Sequence, residues 1–169
     1  DPFHGVRELQ DAWNANMKAI FIAAWMVCLD ESMSKWINKW TCPGYVFCPR
    51  KPWPFGNEYH TIACCFSLII FFVELVEGKD RPRRNIGDEK YNKTDGKVMK
   101  TIGLMLRMTE TIWHTGKLVI MDSGFCVLRG IVELMKKGLY SSALIKKRRF
   151  WPKYIDGNEI KNRFDDKEV

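Results

Sequence analysis

The chain has 169 residues, of which 46% are hydrophobic and 28% charged. These values are ordinary for a globular protein and suit one domain with a real core, or a piece of a larger one. The net charge of +7 permits contact with nucleic acid without requiring it, and a basic protein with no such partner is the alternative.

Cysteine usage and hydropathy exclude several classes of protein. The six cysteines form no C-x-x-C pair, and Cys64 and Cys65 are adjacent, which fits neither a zinc site nor a disulfide framework. We therefore expect reduced cysteines and an intracellular protein. The apolar stretches 17–29 and 62–76 are shorter than the roughly 20 residues that a spanning helix needs, so we expect core segments and no membrane partner.

The first half of the chain predicts one helix followed by strands. Apolar residues recur every three or four positions over 6–25, which indicates an amphipathic helix. The apolar run 25–29 is either the end of that helix or a strand, and Asp30 ends it. Strands are predicted at 45–48, 58–65 and 68–76, with a proline-containing loop at 50–57, and an antiparallel meander is expected to start near Asp30.

The second half predicts two helix–strand units after a polar linker. The segment 77–96 is almost wholly polar and is expected to be an exposed linker. An apolar stripe predicts a helix over 98–109, and a buried central strand is expected to follow at 117–121. A second helix is predicted at 127–135 and should end before Gly138. A fifth strand is expected at 141–145. The resulting fold class is α/β with a mixed sheet, in the element order of the ribonuclease H-like fold.

Two aspartates are the candidate site residues. Asp30 and Asp122 each follow a short apolar run, and in a ribonuclease H-like fold acids at the end of the first strand and beside the fourth meet at the centre of the sheet. Two such carboxylates repel each other unless a cation lies between them, and their oxygens suit Mg²⁺ or Mn²⁺. The alternative is that both cap a following turn. Glu31 is expected to be a solvated acid or a neighbour of the site, and His60 a structural residue.

A basic segment lies near the end of the chain, where K-K-R-R-F-W-P-K-Y at 146–154 interleaves cations with aromatic rings. Lys146, Lys147, Arg148 and Arg149 offer phosphate contacts and the rings offer stacking surfaces, which favours nucleic acid. The alternative is a solvated edge of the protein with its aromatic rings in the core.

Five stretches of the sequence resemble the transposase domain of piggyBac transposable-element-derived proteins, in the order of that family. They are L-D-E-S-M-S-K-W, C-P-G-Y-V-F-C-P-R-K-P-W-P-F-G-N-E-Y-H, V-E-L-V-E-G-K-D-R-P, V-I-M-D-S-G-F-C-V-L and A-L-I-K-K-R-R-F-W-P. The resemblance implies a ribonuclease H-like core that acts on transposon ends and target DNA through a two-metal site of Mg²⁺ or Mn²⁺. It also implies a nuclear location and allows a homodimer.

Carried over by motif, Asp30 is similar to the family's first catalytic, metal-binding aspartate and Asp122 to the second. Lys51 lies in a turn similar to the family's K-P-x-x-x-G turn and is expected to contact DNA. Departures from the family pattern are Ser123, which stands in place of an asparagine, and Pro54 and Glu58, which stand in place of lysines.

The expected organisation has three parts: a helical lead-in at 1–25, the first part of the transposase core at 26–155, and a truncated continuation at 156–169. The family's third catalytic aspartate is not matched by any late acid of this sequence, so we expect the chain alone not to cleave DNA at a useful rate. The alternative function is a domesticated or decayed transposase-derived module that binds DNA or protein without catalysis.

Overall fold

A computed structural model of the chain describes residues 2–77, 93–94, 97–98 and 100–145, which form three α-helices and eight β-strands. The helices are α1 (His4–Ile20), α2 (Lys100–Thr109) and α3 (Leu128–Lys136). The strands are β1 (Met26–Lys35), β2 (Val46–Phe47), β3 (Phe55–Cys64), β4 (Ile70–Leu75), β5 (Lys93–Thr94), β6 (Lys97–Val98), β7 (Leu118–Met121) and β8 (Tyr140–Ala143).

One mixed sheet contains six of these strands. Its order is β2-β3-β1-β7-β8, and β4 also pairs with β3. Strands β1, β3 and β4 form an antiparallel meander, whereas β7 pairs in parallel with both β1 and β8. Helices α2 and α3 precede β7 and β8 in the chain, as parallel connections require. The predicted α/β class with a ribonuclease H-like order is therefore the observed one.

The core lies between this sheet and the helices. Alternate residues of the central strands point inward, and Val27, Leu29, Ile62 and Val119 have no exposed surface. The helices contribute further fully buried side chains, which are Ile102, Met105, Met108 and Leu134. Gly130 allows α3 to approach α2 closely, because a Cβ there would lie 2.7 Å from Met105 Sδ.

Helix α1 covers the edge strand β4. It ends at Ile20, five residues before the predicted end. Two amide side chains of the helix form hydrogen bonds with backbone groups of the strand. Gln10 Oε1 accepts a hydrogen bond from the Leu75 N–H at 2.7 Å, and Asn14 both accepts from the Val73 N–H at 2.9 Å and donates to the Val73 carbonyl at 2.8 Å. Such coverage satisfies backbone groups that an edge strand otherwise exposes.

A buried ion pair joins α1 to the segment after β4. Arg7 donates to both carboxylate oxygens of Glu77, at 2.6 and 2.8 Å, and this hydrogen-bonded contact raises the pKa of Arg7. Glu77 is only 8% exposed, so the prediction of an exposed linker is wrong at its first residue. The rest of that segment lies outside the described residues, except β5, which pairs with β6 just after the segment.

Two predicted boundaries need correction. Asp30 does not end its strand, because β1 continues to Lys35 through pairing of its residues 31–35 with residues 56–60 of β3. The predicted loop 50–57 is shorter, since β3 already begins at Phe55.

The expected glycine after α3 is confirmed. Gly138 follows α3 with a φ of 68°, as a glycine after a helix end does. All six cysteines are free thiols. Within the ranges that the structure describes, no helix combines the length and the apolar character needed to cross a bilayer.

Candidate functional site

The register of β1 and β7 brings the two predicted aspartates side by side. These parallel strands place Leu29 opposite Met121, and Asp30 and Asp122 are the next residues of each chain segment. Neighbouring strands are about 4.8 Å apart, so the two backbones are adjacent at this point. Leu29 and Met121 are 0% and 3% exposed, whereas both aspartates are exposed. The carboxylates therefore stand at the end of a rigid, buried strand pair.

Each of these carboxylates accepts a backbone hydrogen bond through one oxygen. The Glu31 N–H donates to Asp30 Oδ1 at 2.7 Å, and the Gly124 N–H donates to Asp122 Oδ1 at 2.6 Å. The turn-capping role is thus real for Asp122, although α3 begins later, after Val127. In the part of the chain that is described, no hydrogen bond uses the second oxygen of either carboxylate, so that oxygen is available to a cation.

A second group of polar side chains lies on the other face of β1. Glu31 pairs with His60 across the β1–β3 ladder, and Glu58 is two residues before His60 on the same strand, so the three side chains share one face. Their potential ligand atoms all lie within 4.8 Å of one another, and His60 Nε2 is 3.7 Å from Glu58 Oε1. We call these three residues the Glu–Glu–His cluster.

Burial perturbs the ionisation of all three residues of the Glu–Glu–His cluster, and nearby acids add to the effect at Glu31. Burial raises the pKa of Glu31, and the charges of Glu58 and Asp122 raise it further. Burial also raises the pKa of Glu58 and lowers the pKa of His60. Each shift disfavours the charged form of its group. The charged carboxylates of the cluster are therefore destabilised, and a bound cation would relieve this destabilisation.

Lys51, a predicted DNA contact, lies beside these acids. Its Nζ donates a hydrogen bond to the Glu31 carbonyl at 2.7 Å, and its charge opposes the rise in pKa of both Glu31 and Glu58. The other predicted DNA contacts, which are Lys146, Lys147, Arg148 and Arg149, lie outside the described residues.

The turn after β7 packs onto the same cluster. Phe125, three residues after Asp122, is 2% exposed, and its ring meets the His60 ring edge-on with centroids 6.4 Å apart. The segment that carries Asp122 is thus anchored against His60.

Sequence reasoning missed the Glu–Glu–His cluster. The spacing of Glu58 and His60 within a predicted strand was a usable indication, because residues i and i+2 of a strand share a face. No local pattern places Glu31 with them, since its position depends on the register between β1 and β3.

Comparisons with known proteins agree with this fold. Residues 1–168 match the model of the family described as Transposase IS4. A search of curated proteins gave no match. Among solved structures, the chain is similar to the piggyBac transposase in the cryo-EM structure of its synaptic complex with hairpin DNA, at 15% sequence identity and a TM-score of 0.67.

The structural match covers 90% of this chain and 30% of the piggyBac transposase chain. At this identity the likeness establishes the shared fold, and this chain spans less than a third of the length of that transposase. The family match extends over nearly all of the sequence and confirms the resemblance that the five sequence stretches indicated. The chain belongs to the Transposase IS4 family.

Proposed function

We propose that this chain is part of the catalytic core of a piggyBac-like transposase, which in the intact protein cuts and joins DNA by metal-dependent phosphoryl transfer. The observation that carries the proposal is the parallel register of β1 and β7, which sets Asp30 beside Asp122. The Transposase IS4 family match and the shared fold support the same reaction class.

The residues present suit a divalent cation. Asp30 and Asp122 would hold it through the carboxylate oxygens that lack a backbone partner, and oxygen donors are those that Mg²⁺ and Mn²⁺ prefer. A bound ion would supply charge neutralisation between the acids and Lewis acidity towards a phosphodiester oxygen. The protein's part is positional, because the N–H groups of Glu31 and Gly124 orient the carboxylates and the buried strands beneath prevent their displacement.

The surface near Lys51 supports DNA as the substrate. Lys35 Nζ lies 4.0 Å above the ring of Trp53, and that ring is 56% exposed. The rings of Phe47 and Phe55 stack with centroids 4.9 Å apart and are also exposed. Cations interleaved with exposed aromatic rings provide phosphate contacts and stacking surfaces for unpaired bases. A nuclear location follows from a DNA substrate and stays a prediction.

The second candidate function is a DNA- or protein-binding module without catalysis. One observation favours it: one oxygen of Asp122 is already committed to fixing the turn at 122–124. A residue that only caps a turn needs no metal.

Metal titrations of the purified chain distinguish the two functions. For the catalytic core we expect Asp30→Asn and Asp122→Asn each to weaken Mn²⁺ binding about tenfold or more, measured by calorimetry. Both variants should also lose any strengthening of binding to fluorescent hairpin DNA by Mn²⁺. Glu8→Gln, which removes an exposed carboxylate of α1, is the matched control and should change neither quantity.

The binding module predicts a different pattern. DNA affinity would then be the same in Mn²⁺ and in EDTA, and the same in both aspartate variants. That result would reject the catalytic proposal, and a chain that binds neither Mn²⁺ nor DNA would reject both.

A further inference from the structure

The Glu–Glu–His cluster lies on the opposite face of β1 from Asp30, because Asp30 and Glu31 are consecutive residues of one strand. We propose that Glu31, Glu58 and His60 form a binding site for a first-row transition-metal ion, of which Mn²⁺, Co²⁺ and Zn²⁺ are examples, separate from the Asp30–Asp122 pair. This site goes beyond the proposed DNA chemistry and does not depend on it.

The geometry of the cluster is close to that of a bound state. Ligand atoms that each lie about 2.1 Å from an ion are about 3 to 3.5 Å from one another. His60 Nε2 and Glu58 Oε1 are already 3.7 Å apart, and the whole set lies within 4.8 Å. Rotation of the two glutamate side chains, which are only partly buried, is enough to close the remaining distance.

The imidazole of His60 lacks a hydrogen-bond partner among the described residues. Its Nδ1 is buried without one, and its Nε2 is too far from Glu58 for a hydrogen bond, although the side chain is only 15% exposed. Buried polar groups are nearly always satisfied in folded proteins. An ion bound to Nε2 would give that nitrogen a partner, whereas the buried Nδ1 would still lack one among the described residues.

The negative charge of the two glutamates also favours a bound cation. Two glutamates lie together with an imidazole, and their potential ligand atoms are all within 4.8 Å of one another. The nearby ammonium of Lys51 is hydrogen-bonded to the Glu31 carbonyl, not to either carboxylate. A cation that contacts the carboxylates directly is therefore missing among the described side chains.

The mixed donor set decides the class of metal. Imidazole nitrogen combined with carboxylate oxygen suits manganese, iron, cobalt, nickel and zinc, whereas Mg²⁺ and Ca²⁺ favour oxygen donors alone. An ion here would join β1 to β3 and would hold His60 against Phe125. It would thereby steady the turn that carries Asp122.

Pulsed EPR of Mn²⁺ added to the whole chain tests the proposal, because it detects a directly bound nitrogen. We expect modulation from ¹⁴N in the wild-type protein and in the double variant Asp30→Asn/Asp122→Asn. The ¹⁴N modulation should vanish in His60→Gln and persist in His4→Gln, the matched control, which removes an exposed histidine that also lies near a glutamate.

Two outcomes would overturn the proposal. Mn²⁺ bound through oxygen alone in the wild type would leave the Asp30–Asp122 site standing and reject this one. Loss of the nitrogen signal in the aspartate double variant would show that the two sites are one. If His60→Gln does not fold, Glu58→Gln gives a second test: it keeps the imidazole and should weaken Mn²⁺ binding about tenfold or more, and unchanged affinity would reject the site.

Discussion

The guanidinium of Arg107 donates two hydrogen bonds to the carboxylate of Glu74, from Nε to Oε2 at 3.0 Å and from Nη2 to Oε1 at 2.8 Å. Both residues are buried, at 9% and 8% exposure. Arg107 belongs to α2 and Glu74 to β4, where it lies opposite His60. This ion pair therefore ties a helix to the antiparallel meander beside the Glu–Glu–His cluster.

Removal of one partner of this pair should destabilise the fold. We expect Arg107→Met to lower the free energy of unfolding by about 3 to 5 kcal/mol, because Glu74 is left as a buried charge without its main partner. Urea denaturation followed by circular dichroism measures the change. The double variant Arg107→Met/Glu74→Leu should lose less than the two single variants combined, and strictly additive losses would contradict the pairing.

Gly56 should not tolerate a side chain. Its φ is 155°, and a Cβ there would lie 1.8 Å from the Ser34 carbonyl oxygen of the paired strand β1. We expect Gly56→Ala to cost about 2 kcal/mol or more, through strain and loss of β1–β3 pairing. Gly5→Ala is the matched control, because nothing lies within 4 Å of its Cβ and alanine favours the helix. Equal stability of the two variants would refute the register.

Leu29 should be a major contributor to the core below the aspartates. It is fully buried between β3 and β7, so Leu29→Ala should lower the free energy of unfolding by about 2 to 5 kcal/mol through lost burial and a cavity. Leu128→Ala removes the same atoms from a residue that is 70% exposed and should change stability by less than about 1 kcal/mol. Thermal unfolding of both variants provides the comparison.

Because the pKa of Glu58 is raised, its replacement by neutral glutamine should stabilise the fold by an amount that depends on pH. Because the pKa of Glu58 in the fold lies above its ordinary value of 4.5, the folded state binds this proton more readily than the unfolded state does. The stability from that proton is present below pH 4.5 and is lost as the pH rises through the folded pKa. In EDTA at pH 7.5, Glu58→Gln should therefore melt at a higher temperature than the wild type.

The same gain in stability should shrink as the pH falls through the raised folded pKa of Glu58 towards 4.5, because the glutamate itself becomes protonated. Glu8→Gln, at an exposed position on α1, is the control and should stay within about 0.5 kcal/mol of the wild type. A Glu58→Gln variant that is less stable than the wild type at both pH values would contradict the destabilising effect of burial on the charged Glu58 carboxylate.

Much of the fold could be predicted because the patterns that specify it are local. The apolar stripes of α2 and α3 and the apolar run of β7 give each element its type and nearly its bounds, since helical and extended periodicity depend on neighbouring residues alone. The ribonuclease H-like class followed from the order of the elements along the chain and from the rule that parallel strands need a crossover connection.

The predictions were wrong where residues that are distant in the sequence determine the local structure. The sequence around Asp30 looks like the end of a strand, yet pairing with residues 56–60 of β3 continues it to Lys35. Glu77 looks like the start of an exposed linker, yet Arg7 of α1 buries and neutralises it. In both places a partner far away in the chain outweighs the local preference for solvent.

Some features of the candidate site could likewise be predicted from the local sequence, and others depend on distant residues. The sequence by itself determined that Asp30 and Asp122 follow apolar strands, because the two apolar runs and their acids can be read from adjacent residues. Only the tertiary structure decided that these acids are neighbours and that Glu31, Glu58 and His60 share the other face, because strand register fixes both. Register is set by the packing of whole strands against one core, and a shift of one residue would turn every one of these side chains to the opposite face.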